Sequence, residues 1–178
     1  MDPVTLYELA ASRAAESARS VRPEQRSLPT PCSEWDVAAL LEHMAGGSAY
    51  LLGALGVESV GEVAWPDAAA VEACVSALRE PGALERRCMS PANHEWSVAE
   101  AAAGTAMDQL IHSWDLAVAI GADRSIDPEL AEAIVAMFLP QMPEIGRQAG
   151  FVGPAVAVAS DAPACDRLLA AMGRNPAS

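Results

Sequence analysis

The chain contains only three histidines, His43, His94 and His112, and two of them fall inside segments with helical periodicity. Asp108 lies four residues before His112, so both side chains leave the same helix face about one turn apart. A carboxylate oxygen and an imidazole nitrogen at that spacing can share one divalent metal ion. His43 belongs to an earlier helical series, Leu40, His43, Gly47 and Tyr50, in which Gly47 would let a neighbouring helix or ligand approach closely. Packed side by side, the two helices would bring His43, Asp108 and His112 into a two-histidine, one-carboxylate site. Three protein ligands leave coordination positions open, the pattern of a catalytic rather than a closed structural metal. The same residues admit a plainer reading, in which Asp108 and His112 form a hydrogen-bonded pair and His43 is a satisfied rim residue.

Other polar groups are harder to place. Asp115, three residues after His112, could orient that histidine from behind; a buried Asp that pairs with an arginine or caps a loop is the commoner arrangement. His94 precedes a helix start in a loop and reads as a surface residue. The four cysteines, Cys32, Cys74, Cys88 and Cys165, form no CxxC pair and read as small buried hydrophobes in a reducing compartment. Cys32 is the exception, because it sits just before an expected helix start, where a thiolate is favoured.

The elements that must position these residues are helices. The first is expected over Val4–Val21, with Leu6, Leu9, Ala10, Arg13 and Ala14 as its stripe. Pro23, Pro29 and Pro31 then forbid a helix. Ser33 is expected to cap the second helix, with Glu34 and Asp36 at its positive end, Val37, Leu40, Leu41, Met44 and Leu51 on its buried side, and Gly53 or Gly56 at its stop. A loop over 57–66 and a shorter helix over Asp67–Arg79 follow, and Ala83–Trp96 is expected to be irregular. Ser97 and Glu100 fit a capping box for a helix running to Ile120, closed by Gly121. This helix carries two stripes, one apolar (Met107, Leu110, Ile111, Trp114, Val118) and one of small and polar residues (Ala101, Thr105, Asp108, His112, Asp115, Ala119), so both sides should face something close. Asp127-Pro128 starts a further helix through Phe138, broken at Pro140 and Pro143. Residues 151–163 read as extended or irregular, and a last helix is expected over Cys165–Met172, stopping at Gly173.

The composition agrees. The chain is 52% hydrophobic, much of that alanine, with only 4% aromatic residues, which suits close-packed helices. The expectation is one all-α domain over 1–178: a four-helix bundle with a short inserted helix, its core at about 4–148 and a C-terminal cover at about 149–178. A formal net charge of −13, no lysine and no basic cluster disfavour nucleic acid and anionic lipid as partners. The polar N-terminus lacks a secretory pattern, and no stretch reaches membrane-span length, so a cytoplasmic location is expected.

Two segments resemble a known family. Thr30-Pro-Cys-Ser-Glu-Trp-Asp-Val-Ala-Ala-Leu-Leu-Glu-His43-Met and Asp108-Gln-Leu-Ile-His112-Ser-Trp-Asp-Leu-Ala117 are similar to metal-binding proteins related to the N-terminal domain of mycothiol-dependent maleylpyruvate isomerase, in the DinB-like superfamily. The tail, from Phe151-Val-Gly-Pro-Ala-Val to Gly173-Arg174, also looks like the end of that group. The resemblance implies a DinB-like bundle holding a divalent metal, zinc or nickel, on His43, Asp108 and His112. That isomerase looks to have glutamate where this chain has Asp108. The implied function is a thiol S-transferase or isomerase that uses mycothiol or another low-molecular-weight thiol on a small-molecule substrate. A metal-dependent hydrolase, with Asp115 as base, and a non-catalytic metal- or small-molecule-binding protein are the alternatives. A homodimer is compatible with each.

Overall fold

The computed structural model describes residues 1–57, 66 and 68–177. Among them the chain is mostly helical, as the alanine-rich composition predicts. It forms α1 (Pro3–Arg19), α2 (Val37–Ala54), α3 (Ala68–Leu78), β1 (Arg87–Met89), β2 (Glu95–Ser97), α4 (Val98–Ile120), α5 (Pro128–Phe138), α6 (Gln141–Gln148) and α7 (Ala164–Ala171). Two compact units result, Met1–Ser125 and Ile126–Ser178.

In the first unit α1 and α2 each pack against both α3 and α4. The seams are lined by small residues: Ala10, Ala11 and Ala14 of α1 and Ala101, Ala102, Ala103 and Ala106 of α4 are fully buried. Backbones can therefore approach closely, and side-chain entropy lost on burial is nil for alanine. Both stripes of α4 are used. Met107, Leu110, Ile111 and Trp114 are buried on one side, and Ala101, Thr105, His112 and Asp115 on the other. Gly47 is where α2 meets that second stripe. A Cβ there would stand 2.9 Å from the Gln109 side-chain nitrogen, which donates 2.7 Å to the Met44 carbonyl. Beside this contact, Ala14, Ala18, Val37, Leu40, Met44 and Leu116 form an apolar cluster onto which Leu28, Trp35 and Leu41 pack. On α1, Leu9 departs from its expected stripe and is exposed.

Local signals set most helix ends. Asp2 accepts from the Val4 and Thr5 amides at the start of α1. Ser97 and Glu100 form the expected reciprocal box, and Gly121 closes α4 with φ 69°. The start of α2 differs from expectation. Asp36, not Ser33, is the cap, and its carboxylate accepts from Ala39. The first two amides of α2 donate back to the preceding segment, Val37 to the Leu28 carbonyl and Ala38 to the Arg26 carbonyl, which ties residues 26–28 to the helix start. The stretch 83–96 is also more ordered than expected. It holds β1 and β2, paired antiparallel with Cys88 opposite Trp96. Trp96 lies on α4 at Gly104, where a Cβ would come within 2.9 Å of the indole. The loop expected over 57–66 lies outside the described residues, apart from Val57 and Pro66.

In the second unit α5 starts as expected, with the Asp127 carboxylate accepting from Glu129 and Leu130. It packs against α6 and α7. Residues 141–148, read from sequence only as a break, form a helix of their own. Pro143 is tolerated because it falls in the first turn, where amides have no intrahelical partner. The 151–163 stretch is irregular as expected, and Val156 ties it to the Ala170 carbonyl at the end of α7.

Candidate metal centre

α2 and α4 bring His43, Asp108 and His112 together. Asp108 Oδ1 stands 3.2 Å from His43 Nε2 and 3.3 Å from His112 Nε2. One ligand atom from each residue lies within 4.8 Å of the others. Donors bound at about 2.1 Å to one ion are separated by about 3.0 Å at right angles and about 3.4 Å at the tetrahedral angle. Both separations from Asp108 fall inside that interval, so each imidazole nitrogen is spaced from the carboxylate as two ligands of one divalent cation would be. The centre faces solvent on one side: the His43 and Asp108 side chains are 38% and 35% exposed, that of His112 only 9%.

His112 is held from behind. Its Nδ1 lies 2.9 Å from Asp115 Oδ2, and the Asp115 side chain is fully buried. With Nδ1–H donating to Asp115, the lone pair of the neutral ring is on Nε2 and points toward Asp108. The structure thus places the Asp115 carboxylate against the histidine. Aromatic packing fixes the rings laterally. Trp35 lies 4.6 Å from His43 and 5.7 Å from His112, centroid to centroid, and the two imidazoles meet edge to face at 4.7 Å.

The charges reinforce one another. Burial alone would raise the Asp108 carboxyl, but the charge of His112 and hydrogen bonds from both imidazoles outweigh it, and the carboxyl is held well below the usual range. Burial alone would lower His112. Asp108, with further hydrogen bonds to Asp115 and Cys32, holds it well above the ordinary histidine range. Without a metal the centre is thus a carboxylate clasping an imidazolium, and a cation must displace that proton.

Two neighbours were not legible in the sequence as part of the site. Trp35 and Cys32 come from the non-helical approach to α2. Cys32 is not at a helix N-terminus, as expected, because α2 begins only at Val37. Its Sγ instead donates to Asp115 Oδ2 at 3.4 Å and lies 4.0 Å from His112 Nδ1. His94 belongs elsewhere: it bonds Ser90 at 2.9 Å within the hairpin and packs on Trp96.

The mycothiol maleylpyruvate isomerase N-terminal domain family model matches residues 7–83, a span that includes His43 and stops short of α4. Two uncharacterized proteins of Mycobacterium tuberculosis, from strains CDC 1551 and H37Rv, are each 32% identical to the chain over 187 residues, covering 98% of it and 99% of their own length. No solved structure gives a significant match. No described helix is long and apolar enough to cross a membrane.

Proposed function

Since the chain belongs to the mycothiol maleylpyruvate isomerase N-terminal domain family of all-α, DinB-like bundles, we propose that it binds one divalent metal, zinc or nickel, at His43, Asp108 and His112 and uses it in thiol-dependent transfer or isomerisation. The observation that carries this reading is the convergence of three donor atoms from two helices within 4.8 Å, with the buried Asp115 beside the most enclosed of them. When bound, the ion supplies a Lewis acid that keeps a coordinating thiol deprotonated. The chain's own residues do the rest. His43 and Asp108 leave one side of the centre open to a small molecule, Trp35 walls the other, and Asp115 holds the His112 tautomer. The thiol, mycothiol or a similar low-molecular-weight compound, is supported by the family to which the chain belongs.

The hydrolase alternative is less well supported. It needs a base that reaches water, and Asp115, its only obvious candidate, is fully buried behind His112. The test is to load the purified chain with cobalt and add mycothiol. A thiolate-to-cobalt absorption band that saturates with thiol, and that is lost in His112→Ala, is expected. No band with any thiol, together with ester or amide turnover in its absence, would replace this reading with the hydrolase.

A further inference from the structure

We propose that Cys32, Asp115 and the Nδ1 atom of His112 form a second cation site, for a thiophilic divalent ion, that competes with the first site for the His112 ring. These three residues place one sulfur, one carboxylate oxygen and one imidazole nitrogen within 4.8 Å of one another. Their separations are 2.9 Å between nitrogen and oxygen, 3.4 Å between oxygen and sulfur and 4.0 Å between sulfur and nitrogen. A tetrahedral zinc-type ion sets about 3.3 Å between nitrogen and oxygen donors and about 3.6 Å between sulfur and either, so side-chain shifts of a few tenths of an ångström complete the fit.

The donor sets differ in character. The first site offers two nitrogens and an oxygen, the second a thiolate in place of one nitrogen, which favours soft cations. Cys32 is half-buried, so an ion has a route in, whereas Asp115 is fully buried. Thr30 anchors the cysteine: its hydroxyl accepts from the Cys32 amide at 3.1 Å and donates to the Trp35 carbonyl at 2.8 Å.

Competition follows from the ring itself. A neutral imidazole has one lone pair, on Nε2 or on Nδ1. With an ion on the Nε2 side, Nδ1–H donates to Asp115. With an ion on the Nδ1 side, Nε2–H donates to Asp108 Oδ1, 3.3 Å away. Each carboxylate is a ligand in one state and an acceptor in the other, and Cys32 releases its thiol proton to solvent only in the second. Only the competition depends on the metal reading given above; the sulfur-containing site stands without it.

The experiment is titration of the metal-free, full-length chain with cadmium ion, followed by the ultraviolet thiolate-to-cadmium absorption. Wild type and His43→Ala are expected to develop the band, and Cys32→Ser to lose it while its helical circular dichroism is kept. Added nickel should diminish the band in wild type but not in His43→Ala. Should the serine variant not fold, cadmium protection of Cys32 from alkylation, located by peptide mass mapping of wild type, answers the same question. A band that survives in full in Cys32→Ser, or Cys32 alkylated equally fast with and without cadmium, would overturn the second site. A wild-type band that nickel leaves undiminished would instead overturn the competition and count against the first site.

Discussion

Two histidines of the first unit pack on tryptophans at similar distances: His43 lies 4.6 Å from Trp35 and His94 lies 5.6 Å from Trp96. The polar partners separate them. Around Trp35 the imidazole nitrogens face carboxylates, Asp108 and Asp115, which as anions only accept. Around Trp96 the partners are neutral and close on one another. Ser90 meets His94 Nδ1 and also accepts from the His94 amide, while Trp96 Nε1 donates 2.8 Å to Tyr50 Oη, which donates 2.9 Å to the Met89 carbonyl. Burial pushes the Tyr50 phenol up to about 12, so it remains a donor throughout the physiological range. The first cluster concentrates negative charge where a cation can relieve it, and the second is already satisfied. The contrast separates a ligand centre from a structural clasp that fastens β1 and β2 to α2.

The largest expected effect breaks the first cluster alone. Asp108→Ala and His112→Ala should lose tight metal binding while His94→Ala retains it, as read by competition with a chromophoric chelator. Equal losses in all three would erase the distinction. Asp115→Asn is the next test, since it removes the orienting charge and leaves the ligands. Metal affinity should fall about 10- to 100-fold, and unchanged affinity would reduce Asp115 to packing. The clasp responds in the other currency. Tyr50→Phe strips the partner from the buried Trp96 indole, and should lower unfolding free energy by about 1–3 kcal/mol with metal content untouched, measured by denaturant titration.

Acidity gives a further separation. His112 is held protonated above the usual range, and metal binding must expel that proton. Affinity should therefore rise with pH until His112 deprotonates on its own, and drop by up to about tenfold for each unit of acidification below that point. A pH-independent affinity would remove His112 from the ligand set. The smallest effect lies outside both clusters: Ser97→Ala should cost about 1 kcal/mol through the lost cap of α4, seen as a lower Tm.

Sequence legibility followed the range of the interactions. The caps at Ser97, Gly121 and Asp127 are built from residues within four positions of one another, and they read directly from the chain. Asp108 and His112 share a face by helical geometry, so half of the centre was legible as well. Its other half, the approach of His43, rests on Gly47 letting α2 close on α4, which small residues in the sequence suggest but do not place. Cys32 and Trp35 reach the centre through a segment whose path is set by backbone bonds from Val37 and Ala38 back to Leu28 and Arg26. No periodicity announces such a path, and Asp36 displaced Ser33 as cap for the same reason. The hairpin was missed because strands of three residues are too short to show alternation.

The central claim is that the two histidines and the aspartate form one metal centre, and elemental analysis of protein purified without an affinity tag tests it most directly. Wild type and His94→Ala should carry about one zinc or nickel ion per chain, and His43→Ala and Asp108→Ala should carry none. A wild-type chain free of metal even after incubation with zinc or nickel, or variants at His43 and Asp108 that retain it in full, would contradict the account.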